Sequence, residues 1–400
     1  MRGSIIKRSK GSWTIIINLG RDPTTGKRKQ QWVTVRGTKK AAEEKLSGLL
    51  HELDIKTFVK PTKITVGEWL IRWLENHAWP TFAPRTAEGC EHIIRRHLIP
   101  GIGAVPLVDL NSQHLEDYYT AKRSHGRLDG KGGLSPRTVK HHHVTLHIAL
   151  QGAIKKKLLK KNPADADNVD VPRYHPKEMQ ALDEDGLDRF LEAARETAYY
   201  SLFYLALYTG MRRSEMLALR WSDIDLDFAE LSVVRSLHHL RDGRTIFRIP
   251  KTAKGRRTIS LSPSTTMMLR EHREAQILNS KLMGLTASEE ALVFSTIDGS
   301  PLLPDTVTHA WVKLARRTGL KIRLHDARHT HASLMLKQNV RPKVVQERLG
   351  HATIATTLDI YSHVLPGMQE EAALQFDEGM VKARVEREID PQGISGPRSG

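Results

Sequence analysis

The stretch LHDARHTHASLMLKQN, residues 324–339, joins two patterns with opposite requirements. Its second half supplies apolar residues for a core: Ala332, Leu334, Met335 and Leu336. Its first half packs three histidines around Arg328. His325 and Arg328 are three positions apart, so they share one face at the start of the predicted helix, with His329 on the same side and His331 off it. A phosphate placed there could bind the arginine bidentately beside a histidine that transfers a proton; His331 is expected to support packing.

The stretch TGMRRSEMLALRW, residues 209–221, predicts a tight turn between two helices. Gly210 is a helix breaker, and a new helix is predicted to begin near Ser214 and Glu215. Arg212 would then lie at a helix entrance, where backbone amides and a guanidinium both point toward an anion. Glu215 is expected either to orient an arginine or to cap the helix.

The stretch RIPKTAKGRRTISL, residues 248–261, predicts two strands joined by a basic turn. Lys251 would end the first strand, and the residues from Lys254 to Arg257 would fill the turn. A lysine on such a hairpin can reach into a DNA groove. A merely solvated turn would have the same composition.

The stretch ERLGHATIATTLDIYSHV, residues 347–364, predicts a helix that ends at Gly350. His351 follows on the turn, and a second helix is predicted over residues 352–358. Tyr361 lies ten positions after His351.

Together the four stretches resemble the tyrosine recombinase, or phage integrase, family. That family has an arginine in a TGxRxxE stretch, a hairpin lysine, an HxxR box, a histidine in LGH, and a tyrosine about nine or ten residues later. The matching positions, in the same order, are Arg212, Lys251, His325, Arg328, His351 and Tyr361. The resemblance covers the C-terminal block fully and rests there on specific motifs.

The resemblance implies covalent catalysis, in which Tyr361 attacks a DNA phosphorus and forms a 3′-phosphotyrosine. A phenol has a pKa of about 10, so its ionisation needs help, and His325 would be the base. Lys251 would protonate the departing 5′-oxygen. Because the covalent step conserves bond energy, a 5′-hydroxyl can reverse it without ATP.

The resemblance also implies how negative charge is stabilised. Arg212 and Arg328 would bind the crowded, more highly charged transition state through preorganised donors, and His351 would add a hydrogen bond. No metal ion and no cofactor are implied.

The composition indicates a soluble chain with an anionic polymer as partner. The formal net charge is +17, and residues 1–60 hold 14 Lys and Arg against 5 Asp and Glu, which is +9 of that total. No apolar run is long enough to span a membrane and no signal peptide is evident, so we expect a cytoplasmic protein. The family resemblance implies that it acts at the nucleoid of a bacterial host. The one cysteine, Cys90, excludes an internal disulfide.

The pattern along the chain predicts a multidomain α+β fold. Residues 1–60 would form a small sheet and helix that resembles the arm-type DNA-binding domain of some integrases. Residues 64–165 would form an all-helical core-binding (SAM-like) domain, and residues 175–380 a mainly helical catalytic domain with a small antiparallel sheet. Residues 381–400 are expected to be a flexible tail.

Basic side chains outside the motifs are expected to contact DNA phosphates. They are Lys27, Arg28, Lys29, Arg36, Lys155, Lys156, Lys157, Lys254, Arg256 and Arg257. The histidines at 141–143 and 147 suggest a metal site at first sight, but neighbouring residues on a helix point in different directions. We expect them to form a solvated or phosphate-facing surface.

The family resemblance implies double-stranded DNA with core and arm sites as substrate and a homotetramer on two sites, with an accessory DNA-bending protein or excisionase as a further partner. Two other functions are alternatives on the sequence alone. A type IB topoisomerase uses similar residues, but the spacing from HxxR through LGH to the tyrosine fits recombinases better. A DNA-binding regulator without catalysis would be expected to lack the tyrosine or an arginine, and all are present.

Overall fold

The computed structural model describes residues 3–21, 26–54, 63–174, 180–250, 255–284, 286, 288–355, 357–358, 373–374, 376–382 and 384. The chain divides into two compact units, Met1–Pro176 and Lys177–Gly400. The finer division of the first unit at about residue 60 stays a prediction, as does the tail after residue 380.

The first unit begins with an antiparallel sheet in the order β1-β2-β3, followed by helix α1. Their bounds are Gly3–Ser9, Ser12–Arg21, Arg28–Arg36 and Lys39–Asp54. Side chains alternate between the two faces of a strand, and Ile15 and Ile17 are fully buried together with Ala42 of α1. The other face of the sheet is open, and Trp32 on it is 61% exposed.

Helices make up the rest of the first unit. They are α2 Val66–Trp73, α3 Trp79–Thr81, α4 Pro84–Ile93, α5 Ile99–Ile102, α6 Ser112–His125 and α7 Pro136–Lys155, with π-helical turns at Leu74–Ala78 and Ile94–Leu98. Side chains cap the starts of α6 and α7, because the Asn111 side chain accepts from the His114 amide and the Ser135 hydroxyl accepts from the Thr138 amide. These helices share one apolar core that includes Leu70, Leu115 and Leu146.

Of the α7 histidines expected on a solvated surface, His141 is exposed, but His142 is buried and His143 is half-buried. His142 is 1% exposed, and its Nδ1 is 3.0 Å from the Tyr118 hydroxyl. His143 Nδ1 is 2.8 Å from the Tyr119 hydroxyl. Burial, followed by the charge of His97, lowers the pKa of His142 to about 3. A neutral imidazole can be buried at low cost when a hydroxyl on α6 satisfies it, so these histidines join two helices.

The described residues of the second unit form seven α-helices and five short strands, which carry or frame the motifs. The helices are α8 Glu184–Ala194, α9 Tyr200–Thr209, α10 Arg213–Met216, α11 Pro263–Leu282, α12 Pro304–Arg317, α13 Asp326–Lys337 and α14 Pro342–Leu349. The strands are β4 Ile224–Asp225, β5 Glu230–Val233, β6 Ser236–His239, β7 Thr245–Arg248 and β8 Arg257–Ser260. They pair in the orders β4-β5-β8 and β6-β7, which confirms a small antiparallel sheet within a mainly helical block.

Helix α13 is buried on nearly all sides rather than along one stripe. Its buried residues include the polar Asp326, Arg328, Thr330, His331 and Ser333. Such groups need partners inside the protein; the Thr330 hydroxyl, for example, accepts from the Leu182 amide at 3.0 Å. These polar side chains of α13 therefore lie in the protein interior and not on its surface. No helix in the described ranges is long and apolar enough to cross a bilayer.

We expect the aromatic centre of the second unit to dominate its stability. Trp311 is fully buried, with its ring 4.3 Å from Phe190 and 5.0 Å from Phe203. Trp311→Ala should lower the free energy of unfolding by about 3–5 kcal/mol, measured by urea unfolding. The control Phe228→Ala, at a side chain that is 82% exposed, should change it by about 0.5 kcal/mol or less. Equal effects would contradict this assignment of the core.

Candidate active site

Arg212 is held at the turn between α9 and α10, where the sequence analysis placed it. Gly210 ends α9 with φ +63°, a left-handed conformation that favours glycine. A Cβ on Gly210 would lie 2.5 Å from Leu349 Cδ2 and 3.0 Å from His331 Cδ2. The turn therefore needs glycine twice, once for its backbone and once for the close approach of α13 and α14.

Glu215 both caps α10 and orients an arginine, so the two roles predicted as alternatives are combined. Its Oε2 accepts from the Arg212 amide at 2.9 Å, and its Oε1 accepts from Arg212 Nη1 at 2.7 Å. Arg257 Nη2 donates to Oε2 at 2.9 Å. Burial alone would raise the pKa of Glu215, but the Arg257 hydrogen bond and the charges of Arg257 and Arg212 lower it below its ordinary value. The carboxylate is thus ionised and shared between two arginines.

Arg328 lies on α13 with 3% of its surface exposed. Its Nη1 donates to the Gly210 carbonyl at 2.8 Å, and its Nη2 donates to the Leu349 carbonyl at 2.5 Å. Burial, followed by the neighbouring charge of Arg212, lowers the pKa of Arg328. The guanidinium is therefore fixed between the end of α9 and the end of α14.

Three consecutive carbonyls at the end of α14 each accept from a different arginine. Arg257 Nε donates to the Arg348 carbonyl at 2.6 Å, Arg328 to that of Leu349, and Arg212 Nη2 to that of Gly350 at 3.4 Å. The last carbonyls of a helix have no partner within it and carry partial negative charge. The carbonyl groups at the C-terminal end of α14 therefore bind three arginine side chains next to one another.

The end of α9 is used in the same way by a supporting pair. The Leu207 carbonyl is 3.0 Å from His331 Nδ1, and the Tyr208 carbonyl accepts from Arg348 Nη2 at 3.2 Å. Arg348 Nε donates to His331 Nε2 at 3.0 Å, so the imidazole carries its proton on Nδ1. Burial, followed by the Arg348 charge, lowers the pKa of His331 to about 3. This fits the packing role expected for it.

His351 is the first residue after the Gly350 cap and is buried. Its Nδ1 lies 2.9 Å from the Thr357 hydroxyl, and its amide donates to the Gln346 carbonyl at 3.1 Å. Burial, followed by the charges of Arg328 and Arg212, lowers the pKa of His351 to about 4. The imidazole is therefore neutral at physiological pH and can donate one hydrogen bond without adding charge.

His325 lies at the N-cap position of α13 without a side-chain capping hydrogen bond, and it is exposed to solvent. Its ring is perpendicular to that of His329, with the ring centres 5.2 Å apart. Partial desolvation, followed by the Arg328 charge, lowers the pKa of His325. A neutral, accessible imidazole next to two anchored arginines is able to accept a proton.

The structure brings together Arg212, His325, Arg328 and His351 around the ends of α9 and α14. Lys251, Lys254 and Tyr361 lie outside the described residues. The other predicted DNA contacts are solvent-exposed, except for Arg257: Lys27, Arg28, Lys29, Arg36, Lys155, Lys156, Lys157 and Arg256. The described part of the chain holds no cluster of three or more His, Cys, Asp or Glu side chains arranged for a metal ion.

Arg257 corrects a sequence prediction. It was expected to face DNA from the basic turn, but its side chain is 6% exposed and pairs with Glu215. The strand pattern held the signal, because β8 alternates and Arg257 shares a face with the buried Ile259, while Arg256 precedes the strand and is exposed. Neither this pair nor the use of helix-end carbonyls by arginines was anticipated.

Replacement of Gly210 should separate backbone strain from packing. Gly210→Ala should cost about 1–2 kcal/mol for the left-handed backbone and a further amount of about 1–3 kcal/mol for overpacking. The control Gly243→Ala has φ +87° and nothing within 4 Å of the added Cβ, so it should pay the first cost only. Urea unfolding of both variants checks this, and equal losses would show that α13 and α14 yield freely.

The buried histidines should make the chain sensitive to acid. His331 is neutral in both folded and unfolded chains above about pH 6.5. As pH falls below that value the unfolded chain gains a proton that the folded chain refuses down to about pH 3, so stability is lost over this range by up to about 1.4 kcal/mol per pH unit. Urea midpoints at pH 7 and pH 5 should therefore differ less in His331→Gln than in the wild type, and an unchanged difference would contradict the neutral assignment.

This chain is similar in sequence to known proteins. The sequence profile of the Phage integrase family matches residues 180–367, and that of the phage integrase N-terminal SAM-like domain matches residues 65–122. The ICEBs1 integrase of Bacillus subtilis is 27% identical over 378 residues, covering 94% of this chain and 99% of that protein. A XerC-like tyrosine recombinase of Caldanaerobacter subterraneus is 27% identical over 384 residues, covering 92% and 96%.

Solved structures agree in fold. The Tn1549 transposon integrase in complex with a circular intermediate DNA superposes with a TM-score of 0.65 at 20% identity, covering 78% of this chain and 99% of that one. A lambda integrase dimer bound to a core site has a TM-score of 0.55 at 19% identity, covering 89% and 93%. The chain belongs to the phage integrase family of tyrosine recombinases.

Proposed function

We propose that this site-specific recombinase cleaves and rejoins DNA at the site built from Arg212, Arg328 and His351, with Tyr361 as nucleophile. The supporting observation is that two guanidinium groups are anchored by carbonyls of neighbouring helix ends beside a neutral histidine. Such donors are preorganised and cationic, which suits the charge that builds up on a phosphodiester during attack. The result is integration or excision of a phage or other mobile element.

In the proposed reaction the Tyr361 oxygen forms a bond to phosphorus as the bond from phosphorus to the 5′-oxygen breaks. His325 accepts the phenolic proton, and Lys251 gives a proton to the leaving 5′-oxygen. The products are a 3′-phosphotyrosine and a free 5′-hydroxyl. Attack by the 5′-hydroxyl of another strand reverses the step, so no external energy source is needed.

Arg212 and Arg328 are expected to act on chemistry rather than on binding. Arg212→Ala and Arg328→Ala should bind a core DNA site with nearly normal affinity but cleave it at least about 100-fold more slowly, since removing one preorganised donor typically costs two to three powers of ten. The measurement is covalent adduct formed on a nicked DNA site. Cleavage at the wild-type rate by either variant would refute the assigned role.

Tyr361→Phe provides the matched test of the covalent step. This variant should bind the same nicked site and yield no adduct. Adduct formation in Tyr361→Phe would exclude Tyr361 as the nucleophile, and absence of any adduct in the wild type would favour the non-catalytic regulator. The topoisomerase alternative is separated by asking whether two different duplexes are joined or one is merely relaxed.

The N-terminal sheet is proposed to bind arm-type DNA sites through its open face. Across that face the Gln30 side chain donates to Asn18 Oδ1 at 2.8 Å beside the exposed Trp32, and Arg28 and Arg36 stand at the two ends of β3. Amides, an apolar ring and flanking cations on one flat surface suit the edges of bases in a major groove and the phosphates on either side.

Neutralising that face should weaken arm binding selectively. Arg36→Gln should lower arm-site affinity and reduce the slope of log affinity against log salt by about one. The control Lys45→Gln removes one charge from α1, on the other side of the sheet, and should have less effect. Cleavage of an isolated core site should be unchanged by both, and loss of core cleavage in Arg36→Gln would overturn the assignment of this domain.

The assembly is proposed to be a homotetramer on two DNA sites, working in the bacterial cytoplasm and at the nucleoid. A lambda integrase tetramer bound to a Holliday junction is among the structures of similar fold, with a TM-score of 0.54 at 20% identity. An accessory DNA-bending protein or excisionase is a further proposed partner. Sedimentation of the chain with and without paired sites tests the tetramer.

A further inference from the structure

Arg257 is the first residue of β8, and its side chain is 6% exposed. Its guanidinium makes four directed contacts: Nη2 to Glu215 Oε2 at 2.9 Å, Nη1 to Glu215 Oε1 at 3.3 Å, Nη1 to the Gly255 carbonyl at 3.4 Å and Nε to the Arg348 carbonyl at 2.6 Å. A planar guanidinium with this many partners has one orientation available. Arg257 is therefore a rigid group whose side chain is almost completely buried and does not face DNA.

The contacts of Arg257 decide how Glu215 can bind Arg212. Arg257 binds Oε2 together with the Arg212 amide and also reaches Oε1 at 3.3 Å. The Arg212 side chain therefore binds only Oε1, through one nitrogen. Its second terminal nitrogen reaches the Gly350 carbonyl. A carboxylate with both oxygens open prefers a two-pronged pairing with an arginine. Arg257 blocks that pairing and leaves donors of Arg212 available to an incoming anion.

Arg212 depends on this arrangement more than Arg328 does. The Arg212 side chain is 39% exposed and anchored by one short and one long hydrogen bond. Arg328 is 3% exposed and held by two short bonds to carbonyls. A change at Glu215 would therefore turn Arg212 and leave Arg328 in place.

We propose that Arg257 is a positioning residue for strand cleavage: it occupies one side of Glu215 and thereby sets the orientation in which Arg212 meets the scissile phosphate. This inference rests on the proposed function of the site. Arg257 touches neither the DNA nor the reacting atoms, and it acts through Glu215 alone. Its bond to the Arg348 carbonyl fixes Arg257 itself.

The first test is single-turnover cleavage of a nicked core site by the full-length protein. Arg257→Met keeps a long side chain and removes the charge and all donors. It should cleave about 30-fold more slowly, equal to about 2 kcal/mol, with DNA affinity nearly unchanged. Arg257→Lys should show a similar defect, because a lysine cannot hold both carboxylate oxygens and the carbonyl.

A matched control tests for general damage to the fold. Arg235 donates to the buried Asp223 at 2.6 Å in the same unit. Among the described residues, this pair makes no hydrogen bond to Glu215 or Arg212. Arg235→Met should lower the urea midpoint as Arg257→Met does and leave the cleavage rate within about twofold. An equal loss of cleavage in both variants would overturn the proposal.

The second test distinguishes orientation of Arg212 from simple loss of structure. A DNA site with a neutral methylphosphonate at the cleaved position needs less positive charge from the enzyme, so a defect caused by a misdirected Arg212 should shrink at least about tenfold on it. A defect of the same size on both substrates would overturn the proposal. A 5′-bridging sulfur is a leaving group that needs no general acid. Restoration of the cleavage rate on such a substrate would also overturn the proposal, because it would show that proton donation by Lys251 is what the variant lacks.

The double variant Arg257→Met with Glu215→Gln guards against misfolding, because it removes the buried charge along with its partner. The neutral amide cannot form the two-pronged ion pair with Arg212, so the double variant should cleave faster than Arg257→Met alone. An equal or slower rate would count against the proposal. The proposed function fails separately if the wild-type protein forms no covalent adduct that depends on Tyr361. If that adduct forms and Arg257→Met cleaves at the wild-type rate, only the positioning role of Arg257 is refuted.

Discussion

The second unit depends on one electrostatic constraint: several arginines must be buried close together without a matching number of carboxylates. Glu215 is the acidic group that Arg212 and Arg257 share. The remaining compensation comes from the backbone, at the ends of α9 and α14, where unpaired carbonyls accept from Arg257, Arg328, Arg348 and Arg212. Carbonyl dipoles neutralise less than a full charge each, so the cluster keeps a net positive field.

That residual field explains the state of the histidines. A protonated imidazole would add charge to a region that is already cationic and poor in water, so both burial and neighbouring arginines lower the pKa values of His351 and His329 to about 4. The arginines therefore carry the positive charge of the site, and the histidines are left as neutral donors and acceptors. The arginines thus supply fixed charge while the histidines supply neutral groups for proton transfer. Both properties follow from the packing, because the same burial holds the arginines in place and keeps the histidines neutral.

Much of this site could be predicted from the sequence, and the successes share a cause. Gly210 and Gly350 end α9 and α14 in left-handed conformations, at φ +63° and +66°. In the first unit, Asn111 and Ser135 are the N-caps of α6 and α7. Those are local rules, readable from a few neighbouring residues. The failures were His142 and Arg257, which were assigned to surfaces because their residue types are usually exposed. Their burial is decided by partners distant in the chain, such as Tyr118 for His142 and Glu215 for Arg257, and no local pattern names such partners.

The same distinction bears on how the site tolerates change. The helix-end carbonyls are present whatever side chains α9 and α14 carry, so the anchors of Arg328 are set by backbone geometry and by the glycine that lets the helices approach. Arg212 instead depends on the side chain of Glu215, whose Oε2 accepts a hydrogen bond from Arg257 on β8. A backbone anchor persists as long as the fold does, whereas a side-chain anchor is lost with a single substitution. The orientation of Arg212 is therefore the adjustable part of the cationic site, and strand β8, which carries Arg257 and pairs with β5, is the element through which it can be adjusted.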